Sequence, residues 1–581
     1  MSNSCSPRMR KFALLALALL IALLMLPNLI WLAYSHALTT WIAALVLPMA
    51  LLAALFALLG RWPWLACLLL APFALLAPIE TYFVAEYHVP STLATIATVM
   101  ATNVQEALSY LGYLAVLAVL LPVFAGALAL LAAWLIFRSR LHWTGRARAW
   151  VAAIAIATPL VSSMVGFAVA NGPFSNRTRS AALPLATLAD VTESGFPFGI
   201  VQRYVAYRQA WDQMRSSATA FKNFSFHARR ADTRVNARQV YVLVIGESSA
   251  RDHWQLFGYN RPTNPELSSQ QDLIPITRMV TSWPDTILAV PLLLTRKPIT
   301  SRSPDWKEPS FLPAMQEAGF QTWWISNQYP IGQFDSPVAI YAYEARHVVW
   351  VNHSATWNNP GSPDGDLVPA LKRALNSSTG DLFIVLHMMG SHMGYDYRYP
   401  ATFARFRPTQ SDAGSGASRD ARARNSYDNT IVYTDHVLSR IIDVLNHSGA
   451  VTALWYESDH GEKLPSATCD KSGHGLGTRP EYQIPALFWY SNAYAMDFPE
   501  RVATLRANAD KRSLSASTFE TMIDMAGITF PGRDESWSLF SPKWAFHPRI
   551  VSQFWQTDFD HAMVGKKCGV LMPADMQTSR H

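Results

Sequence analysis

Five apolar segments in the first 170 residues constrain the fold of this chain more than any other feature. Each is about as long as the ~20 residues that a helix needs to cross the hydrocarbon core of a bilayer. They cover roughly residues 12–34, 39–59, 65–84, 112–137 and 149–170. We therefore predict that residues 1–170 form an all-α membrane domain of five transmembrane helices.

Basic residues predict how these helices are oriented. The loops at 35–38 and 85–111 contain no Lys or Arg, whereas the other flanks are basic. Because cytoplasmic loops carry an excess of positive charge, the basic side is expected to be cytoplasmic. The N-terminus then faces the cytoplasm and residues 171–581 face outward. The basic residues are Arg8, Arg10, Lys11, Arg61, Arg138, Arg140, Arg146 and Arg148.

An alternative interpretation makes residues 1–37 a cleaved signal peptide, because Ser35-His36-Ala37 is similar to a cleavage site. The apolar run is longer than the ~7–15 residues of a signal peptide. Removing this segment would also disturb the charge pattern around the next helix. The five-helix interpretation is therefore favoured.

The charge balance argues against a nucleic-acid partner. The chain has a net charge of +7, but its first 170 residues contain eight basic and only three acidic residues. The outward part is therefore nearly neutral, and the basic pI does not indicate a nucleic-acid-binding surface.

The four cysteines do not form a disulfide-rich scaffold. Cys5 and Cys67 fall in the membrane part, so only Cys469 and Cys568 can pair in the outward part. An oxidising compartment favours that disulfide. Two buried or free thiols are the alternative.

The pattern changes after the membrane segments. Residues 171–238 contain short helical patterns rich in Arg, Ser and Ala, typical of a linker region on the membrane surface. From residue 239 to 581, apolar runs that are typical of buried strands alternate with helical patterns, which predicts an α/β domain with a mainly parallel sheet. The predicted strands are 240–245, 320–325, 382–387, 451–456 and 484–490, and the predicted helices are 310–318, 366–376 and 427–447. Residues 409–425 are predicted to be a mobile surface loop.

Potential metal ligands follow three of the predicted strands. Glu247 follows the first strand, His392 the third, and Asp459 and His460 the fourth. Residues at the carboxyl ends of parallel strands meet at one edge of a sheet. Carboxylates and imidazoles together suit Zn²⁺. Taken singly, a Glu after a strand is more often a helix cap or a surface residue, and an Asp-His pair is usually a turn.

Several motifs resemble those of bacterial phosphoethanolamine transferases, which belong to the alkaline phosphatase and sulfatase superfamily. The segment VIGESSARDHWQLFGYNRPTNP at 244–265 closely resembles the opening of their catalytic domain. The later matching segments are Pro284–Pro291, Leu386–His392, Tyr427–Thr430, Ser458–Glu462 and Gly473–Gly475. The resemblance implies a zinc-dependent transferase with an alkaline phosphatase/sulfatase-like domain.

The resemblance also implies roles for particular residues. Thr286 would be the nucleophile, and Glu247, Asp459 and His460 would bind zinc, with the threonine oxygen as the fourth ligand. A zinc ion can activate a hydroxyl that is a weak nucleophile near neutral pH. One Zn²⁺ is expected and a second is left open. By itself, Thr286 could also be a helix N-cap before an apolar run.

Other residues resemble substrate-binding positions of the family. His392 and His474 would hold the phosphoryl group, assist proton transfer or bind a second zinc, although either could be a structural histidine. Asn327 resembles a substrate-side position, but the lipid A branch has a nearby lysine that is absent from Gln328–Gln333 here. Asn103 and Glu106 lie in an outward loop, where they would contact a lipid headgroup or belong to a solvated helix face.

The predicted function is transfer of phosphoethanolamine from phosphatidylethanolamine to a lipopolysaccharide or glycan acceptor, through a phosphothreonine. The protein would be a multi-pass, monomeric protein of the bacterial inner membrane with a periplasmic catalytic domain. Ser282 and Leu292 replace cysteines that flank the nucleophile in the lipid A and colistin-resistance enzymes, which favours a core or glucan acceptor. The alternatives are a glycerol-phosphate transferase of the lipoteichoic acid synthase type, a membrane phosphatase or sulfatase, and a non-catalytic zinc protein.

Overall fold

The computed structural model has two compact units, Met1–Ile96 with Tyr113–Arg208, and Ala97–Gly112 with Gln209–His581. We call them the membrane unit and the catalytic unit. The residues that the structure describes are 7–34, 38–87, 90–91, 95–96, 99–100, 111, 114–171, 193–221, 224–231, 237–301, 308–328, 338–352, 362–412, 416–566 and 568–574.

The membrane unit is built from long apolar helices. A short π-helical segment, Ile42–Val46, leads into the second of them. Large side chains such as Phe124 and Val116 remain exposed on the helix surfaces, as expected of surfaces that face lipid. The helices are Pro7–Tyr34, Leu47–Leu58, Pro63–Tyr87, Ala115–Arg138 and Arg146–Asn171, followed by Gly199–Ala220.

Three of the five predicted spans are confirmed as helices of membrane-crossing length. Among the described residues, Pro7–Tyr34, Pro63–Glu86 and Ala115–Arg138 are long and apolar enough to cross a membrane. The second predicted span, 39–59, corresponds to the shorter apolar helix Ile42–Leu58. The fifth, 149–170, lies in the helix Arg146–Asn171, and most side chains of its second half lie outside the described residues.

A buried ion pair joins two helices of the membrane unit. Arg203 Nη1 lies 3.0 Å from Glu80 Oε1, and both side chains are almost inaccessible to solvent. The Ser91 hydroxyl donates to Glu80 Oε2 at 2.7 Å. Charges in membrane domains are expensive unless paired, and here each of the two charges has the other as its partner.

The catalytic unit contains a seven-stranded sheet. Its strands in chain order are β1 (Gln239–Gly246), β2 (Leu273–Pro275), β3 (Gln321–Ser326), β4 (His347–Trp350), β5 (Leu382–His387), β6 (Val451–Ser458) and β7 (Ala486–Tyr490). Their spatial order is β2-β7-β6-β1-β5-β3-β4. Only β7 runs antiparallel to its two neighbours, so the sheet is mixed and mainly parallel.

Helices cover both faces of this sheet. The apolar residues of β1 alternate between two cores, with Tyr241, Leu243 and Ile245 in one and Val240 and Val242 in the other. This double burial explains the continuous apolar run of β1. The main helices are Thr286–Leu294, Leu312–Glu317, Leu367–Asn376, Arg419–Asn446, Asn492–Asp497, Pro499–Asn508 and Thr518–Met525.

All five predicted strands and the three predicted helices are confirmed; the strand at 382–387 has the predicted ends, and the others have shifted ends. Strands β2 and β4 were not predicted, because they are only three and four residues long. The predicted loop 409–425 is wrong in its second half. There the helix Arg419–Asn446 begins, with the Ser418 hydroxyl accepting a hydrogen bond from the Ala421 amide at 3.2 Å. This N-cap outweighs the low helical periodicity of residues 419–425.

The predicted disulfide between Cys469 and Cys568 is confirmed. It ties the segment that carries His474 to the C-terminal part of the chain. Backbone hydrogen bonds support the same connection, because the Leu571 amide donates to the Gly477 carbonyl at 2.8 Å. Cys67 is a buried free thiol in the membrane unit.

Candidate active site

Four of the predicted site residues come together at the carboxyl edge of the sheet. Glu247 follows β1, and Asp459 and His460 follow the adjacent β6. The ligand atoms of these three residues all lie within 4.8 Å of one another. The Thr286 hydroxyl lies 3.2 Å from Glu247 Oε2 and 3.2 Å from His460 Nε2. The strand order therefore brings together residues that are up to 213 positions apart in the chain.

Thr286 is the first residue of a buried apolar helix. The alternative that Thr286 is itself the N-cap is wrong, because Asp285 has that position and its Oδ1 accepts the Leu288 amide at 3.0 Å. This cap leaves the Thr286 hydroxyl directed at Glu247 and His460. Backbone amides at a helix N-terminus also favour an anionic group such as a phosphate.

The orientation of His460 makes its Nε2 an acceptor. Its Nδ1 lies 2.8 Å from the carbonyl oxygen of Gly461. A carbonyl can only accept, so Nδ1 carries the proton and the lone pair of Nε2 faces the carboxylates. A histidine held in this way is typical of metal sites.

The electrostatics of this cluster favour a bound cation. Burial and the neighbouring Glu247 carboxylate raise the pKa of Asp459 well above its usual range. Burial, with a contribution from His474, lowers the pKa of His460 to about 3. Asp459 Oδ2 is buried and accepts no hydrogen bond within the described part of the chain. Two carboxylates, a neutral imidazole and a hydroxyl are suitable Zn²⁺ ligands, so these residues fit the expected metal.

His474 and His392 lie beside this cluster. The ring centroid of His474 is 4.5 Å from that of His460 and 6.4 Å from that of His392. Glu462 Oε2 lies 3.6 Å from His474 Nδ1, while Glu462 Oε1 accepts the Tyr395 hydroxyl at 2.7 Å. The sequence indicated both histidines but no role for Glu462, although it belongs to the same motif as Asp459.

The hydrogen bonds described for the Asn327 side chain lead away from this cluster. Its amide donates to Asp364 Oδ1 at 2.8 Å and to the Ser362 carbonyl at 2.9 Å. The next residue, Gln328, does reach the cluster, because its Nε2 donates to Glu247 Oε2 at 2.9 Å. Sequence reasoning missed Gln328, since nothing in a local pattern shows which of two neighbouring polar residues points to the site.

The loop after β1 is held by the long helix Arg419–Asn446. The Tyr427 hydroxyl donates to the Ser248 carbonyl and accepts the Ala250 amide, both at 2.7 Å. Thr430 donates to the Ser391 hydroxyl at 2.7 Å. These contacts explain why the Tyr427–Thr430 motif accompanies the Glu247 motif.

The segment around Thr286 is held by backbone hydrogen bonds to two other parts of the chain. The Ser552 amide donates to the Ser282 carbonyl at 2.9 Å, and the Gly475 amide donates to the Pro284 carbonyl at 3.1 Å. The second bond also ties the His474 loop to the residues just before Thr286. Asn103 and Glu106 lie outside the described residues.

Two family models match the chain. Residues 48–178 match the family described as phosphoethanolamine transferase EptA/EptB, and residues 239–528 match the sulfatase family. Together these ranges include the predicted membrane helices from the third to the fifth, and all seven strands of the sheet.

Known phosphoethanolamine transferases have sequences similar to this chain. Phosphoethanolamine transferase EptC of Escherichia coli K12 is 27% identical over 399 residues, which cover 66% of this chain and 68% of that protein. The Kdo(2)-lipid A phosphoethanolamine 7''-transferase of the same strain is 27% identical over 325 residues, covering 53% of this chain and 54% of that protein.

Solved structures show the same fold. The C-terminal periplasmic domain of EptC from Escherichia coli, in complex with Zn, matches with a TM-score of 0.52 and 27% identity, over 57% of this chain and 95% of that domain. The integral membrane lipooligosaccharide phosphoethanolamine transferase A (EptA) from Neisseria meningitidis matches with a TM-score of 0.62 and 18% identity. It covers 92% of this chain and 98% of that protein, which shows a shared fold over nearly the whole length.

Proposed function

Because the chain belongs to the phosphoethanolamine transferase family, we propose that it transfers phosphoethanolamine from phosphatidylethanolamine to an outer-surface glycolipid or glycan by way of Thr286. The observation that carries this proposal is the position of the Thr286 hydroxyl, 3.2 Å from both Glu247 Oε2 and His460 Nε2. A hydroxyl at a helix N-terminus, beside a buried cluster of metal ligands, has the arrangement of an activated nucleophile.

The reaction is a double displacement. The Thr286 hydroxyl loses its proton as Oγ1 attacks the phosphorus of the donor, the bond between phosphorus and the glycerol oxygen breaks, and diacylglycerol leaves with a proton on that oxygen. An acceptor hydroxyl then attacks the phosphothreonine and loses its proton, the bond between phosphorus and Oγ1 breaks, and Oγ1 regains a proton as the free hydroxyl. His392 and His474 would contact the phosphoryl oxygens, and a protonated imidazole there would give its proton to the departing glycerol oxygen.

Glu247, Asp459, His460 and the Thr286 oxygen would hold the zinc ion. When bound, Zn²⁺ supplies positive charge that favours an ionised hydroxyl and balances the phosphoryl charge. The fit of the side chains and the zinc complex of the EptC domain support zinc as the metal. We propose one ion at this cluster. A second ion near His392 and His474 is left open.

The acceptor is proposed to be lipopolysaccharide, at its inner core or at lipid A. The Kdo(2)-lipid A transferase supports a lipopolysaccharide substrate. Serine and leucine at positions 282 and 292 distinguish this chain from the disulfide-flanked lipid A enzymes and favour the core. Asn103, Glu106 and Asn327 remain proposed substrate-binding residues, and a monomer remains the proposed assembly.

We propose a multi-pass inner-membrane protein with five crossings, a cytoplasmic N-terminus and a periplasmic catalytic domain. The domain limits are 1–170 for the membrane domain, 171–238 for the linker region and 239–581 for the catalytic domain. Three crossings alone would put Arg61 and Arg138 on the opposite side from Arg8, whereas five crossings put all basic flanks on one side.

Mass spectrometry of lipid A, core oligosaccharide and glucans tests this proposal. Cells that produce the protein should add phosphoethanolamine to one of these acceptors, and cells that produce the Thr286→Ala variant should not. Addition of glycerol phosphate would instead identify an enzyme of the lipoteichoic acid synthase type. Release of free phosphate or sulfate without an acquired group would identify a hydrolase.

A further inference from the structure

Gln328 reaches across a strand of the sheet to contact a proposed zinc ligand. It lies two residues after the end of β3, whereas Glu247 follows β1, and β5 lies between those two strands. The Gln328 Nε2 donates to Glu247 Oε2 at 2.9 Å and to the carbonyl of Met388, the residue after β5, at 3.1 Å. One amide group therefore joins the ends of three parallel strands.

Glu247 is held on its other side as well. The Ser248 hydroxyl donates to Glu247 Oε1 at 2.7 Å, so each carboxylate oxygen accepts a hydrogen bond from a different direction. Ser248 is buried and has a φ of 54°, a left-handed conformation that is uncommon for a residue with a side chain. In this conformation the Ser248 amide also donates to Asp459 Oδ1 at 3.2 Å.

The backbone of Glu247 is closely approached by a neighbouring loop. Gly390 has a φ of 52°, and a Cβ atom there would lie 2.6 Å from the Glu247 carbonyl oxygen. The main chain of Glu247 is therefore in close contact with that of Gly390. The side chains of Gln328 and Ser248, in contrast, donate to the carboxylate itself.

We propose that Gln328 is a positioning residue, whose amide fixes the Glu247 carboxylate in the direction that faces Thr286 and the proposed cation. Groups that orient metal ligands in this way typically change metal affinity or activity by about 10- to 100-fold when they are removed. Gln328 acts through Glu247 and not on the donor lipid. The inference rests on the proposed zinc site.

The experiment uses the full-length protein in detergent micelles. Zn²⁺ affinity is measured by competition with a chromogenic chelator, and transfer is measured separately with phosphatidylethanolamine. Gln328→Met keeps the length of the side chain but cannot donate a hydrogen bond, and Gln328→Glu places a second carboxylate beside Glu247. Gln271→Ala, at an exposed position, is the control.

We expect Gln328→Met to bind Zn²⁺ about 10- to 100-fold more weakly than the wild type. The Zn²⁺ affinity of Gln328→Glu should differ from that of the wild type and from that of Gln328→Met. The Gln271→Ala control should have the affinity of the wild type. With saturating Zn²⁺, Gln328→Met should lower kcat and leave the KM for the donor within about two-fold. Wild-type Zn²⁺ affinity and kcat in Gln328→Met would overturn the proposal. A raised KM with unchanged affinity would also overturn it, because Gln328 would then contact the substrate.

The chelator measurement does not depend on turnover. A wild-type protein that binds Zn²⁺ but transfers no phosphoethanolamine would contradict the proposed function, and the affinities of the Gln328 variants would still decide the role of this residue. Thermal unfolding of each variant identifies any loss of Zn²⁺ affinity that comes from misfolding. The Gln328→Asn variant has a shorter side chain that keeps the amide. It should bind Zn²⁺ more tightly than Gln328→Met only if the amide is the group that matters.

Discussion

The hydroxyl of Tyr427 donates a hydrogen bond of 2.7 Å to the carbonyl of Ser248, the residue that follows the proposed zinc ligand Glu247. The same hydroxyl accepts the Ala250 amide, so a single phenol group satisfies two backbone groups of the loop after β1. Tyr427 lies in the middle of the long helix that packs on the sheet. The helix thereby holds a loop that begins at the proposed zinc ligand.

Tyr427→Phe should weaken both the fold and the reaction. The change leaves the buried Ser248 carbonyl and Ala250 amide without this partner, which should cost about 1–3 kcal/mol in the free energy of unfolding. Transfer should fall because Ser248 contacts both Glu247 and Asp459. The control is Tyr494→Phe, which removes a hydroxyl that bonds the Met525 carbonyl in the core. Equal transfer by the two variants at equal stability would contradict a role for Tyr427 in the site.

Thr286 should carry the covalent intermediate. Purified protein incubated with phosphatidylethanolamine and no acceptor should gain phosphoethanolamine on Thr286, detected by peptide mass spectrometry. Thr286→Ala should abolish the adduct and the transfer, whereas Thr286→Ser retains a hydroxyl and should keep part of both. Transfer that persists in the alanine variant would exclude the double displacement.

Removal of the metal should abolish transfer. Exhaustive chelation removes the cation, and Asp459→Asn removes the charge of one of its proposed ligands. Either change should lower transfer by at least about 100-fold, which is more than the loss expected when a group that only orients a ligand is removed. Added Zn²⁺ should restore the chelated wild type but not the variant. Asp443→Asn, on the surface of the long helix, should behave as the wild type. A chelated enzyme with full activity would show that no metal is needed.

Loss of the disulfide should destabilise the catalytic unit. The bond closes a separation of 99 residues, and replacing both cysteines by alanine should cost about 2–4 kcal/mol. In thermal unfolding this corresponds to a midpoint lowered by about 2–5 °C for a unit of this size. Cys67→Ala, which removes a buried free thiol of the membrane unit, is the control. An unchanged midpoint in the double variant would show that the backbone hydrogen bonds alone hold the C-terminal segment.

Glu106 should matter only for membrane donors. Its carboxylate, with Asn103 three positions earlier, would bind the cationic ammonium group of the donor at the headgroup layer. Glu106→Gln should therefore weaken the use of phosphatidylethanolamine in vesicles and spare the cleavage of a small water-soluble phosphodiester. Equal losses on both substrates would indicate misfolding, and no loss on either would assign Glu106 to a solvated helix face.

Much of the architecture could be predicted from the sequence, because its signals are local. Apolar length predicted the membrane helices, and continuous apolar runs predicted five strands of the sheet. The residues directly after those strands, Glu247, Asp459 and His460, could be grouped because parallel strands end at one edge. The cysteine pair followed from there being only two in the outward part.

The contacts that orient the site were decided by the tertiary structure. Gln328 meets Glu247 because the ends of β3 and β1 lie on either side of β5 at one edge of the sheet. This strand order depends on packing between distant parts of the chain. Ser248, which has a left-handed conformation, likewise accepts a hydrogen bond from Tyr427, which lies 179 residues away. Local patterns report which face of a strand is buried, but not which side chain crosses to a neighbour. The sequence by itself therefore determined which residues could react, and the fold determined how they are held.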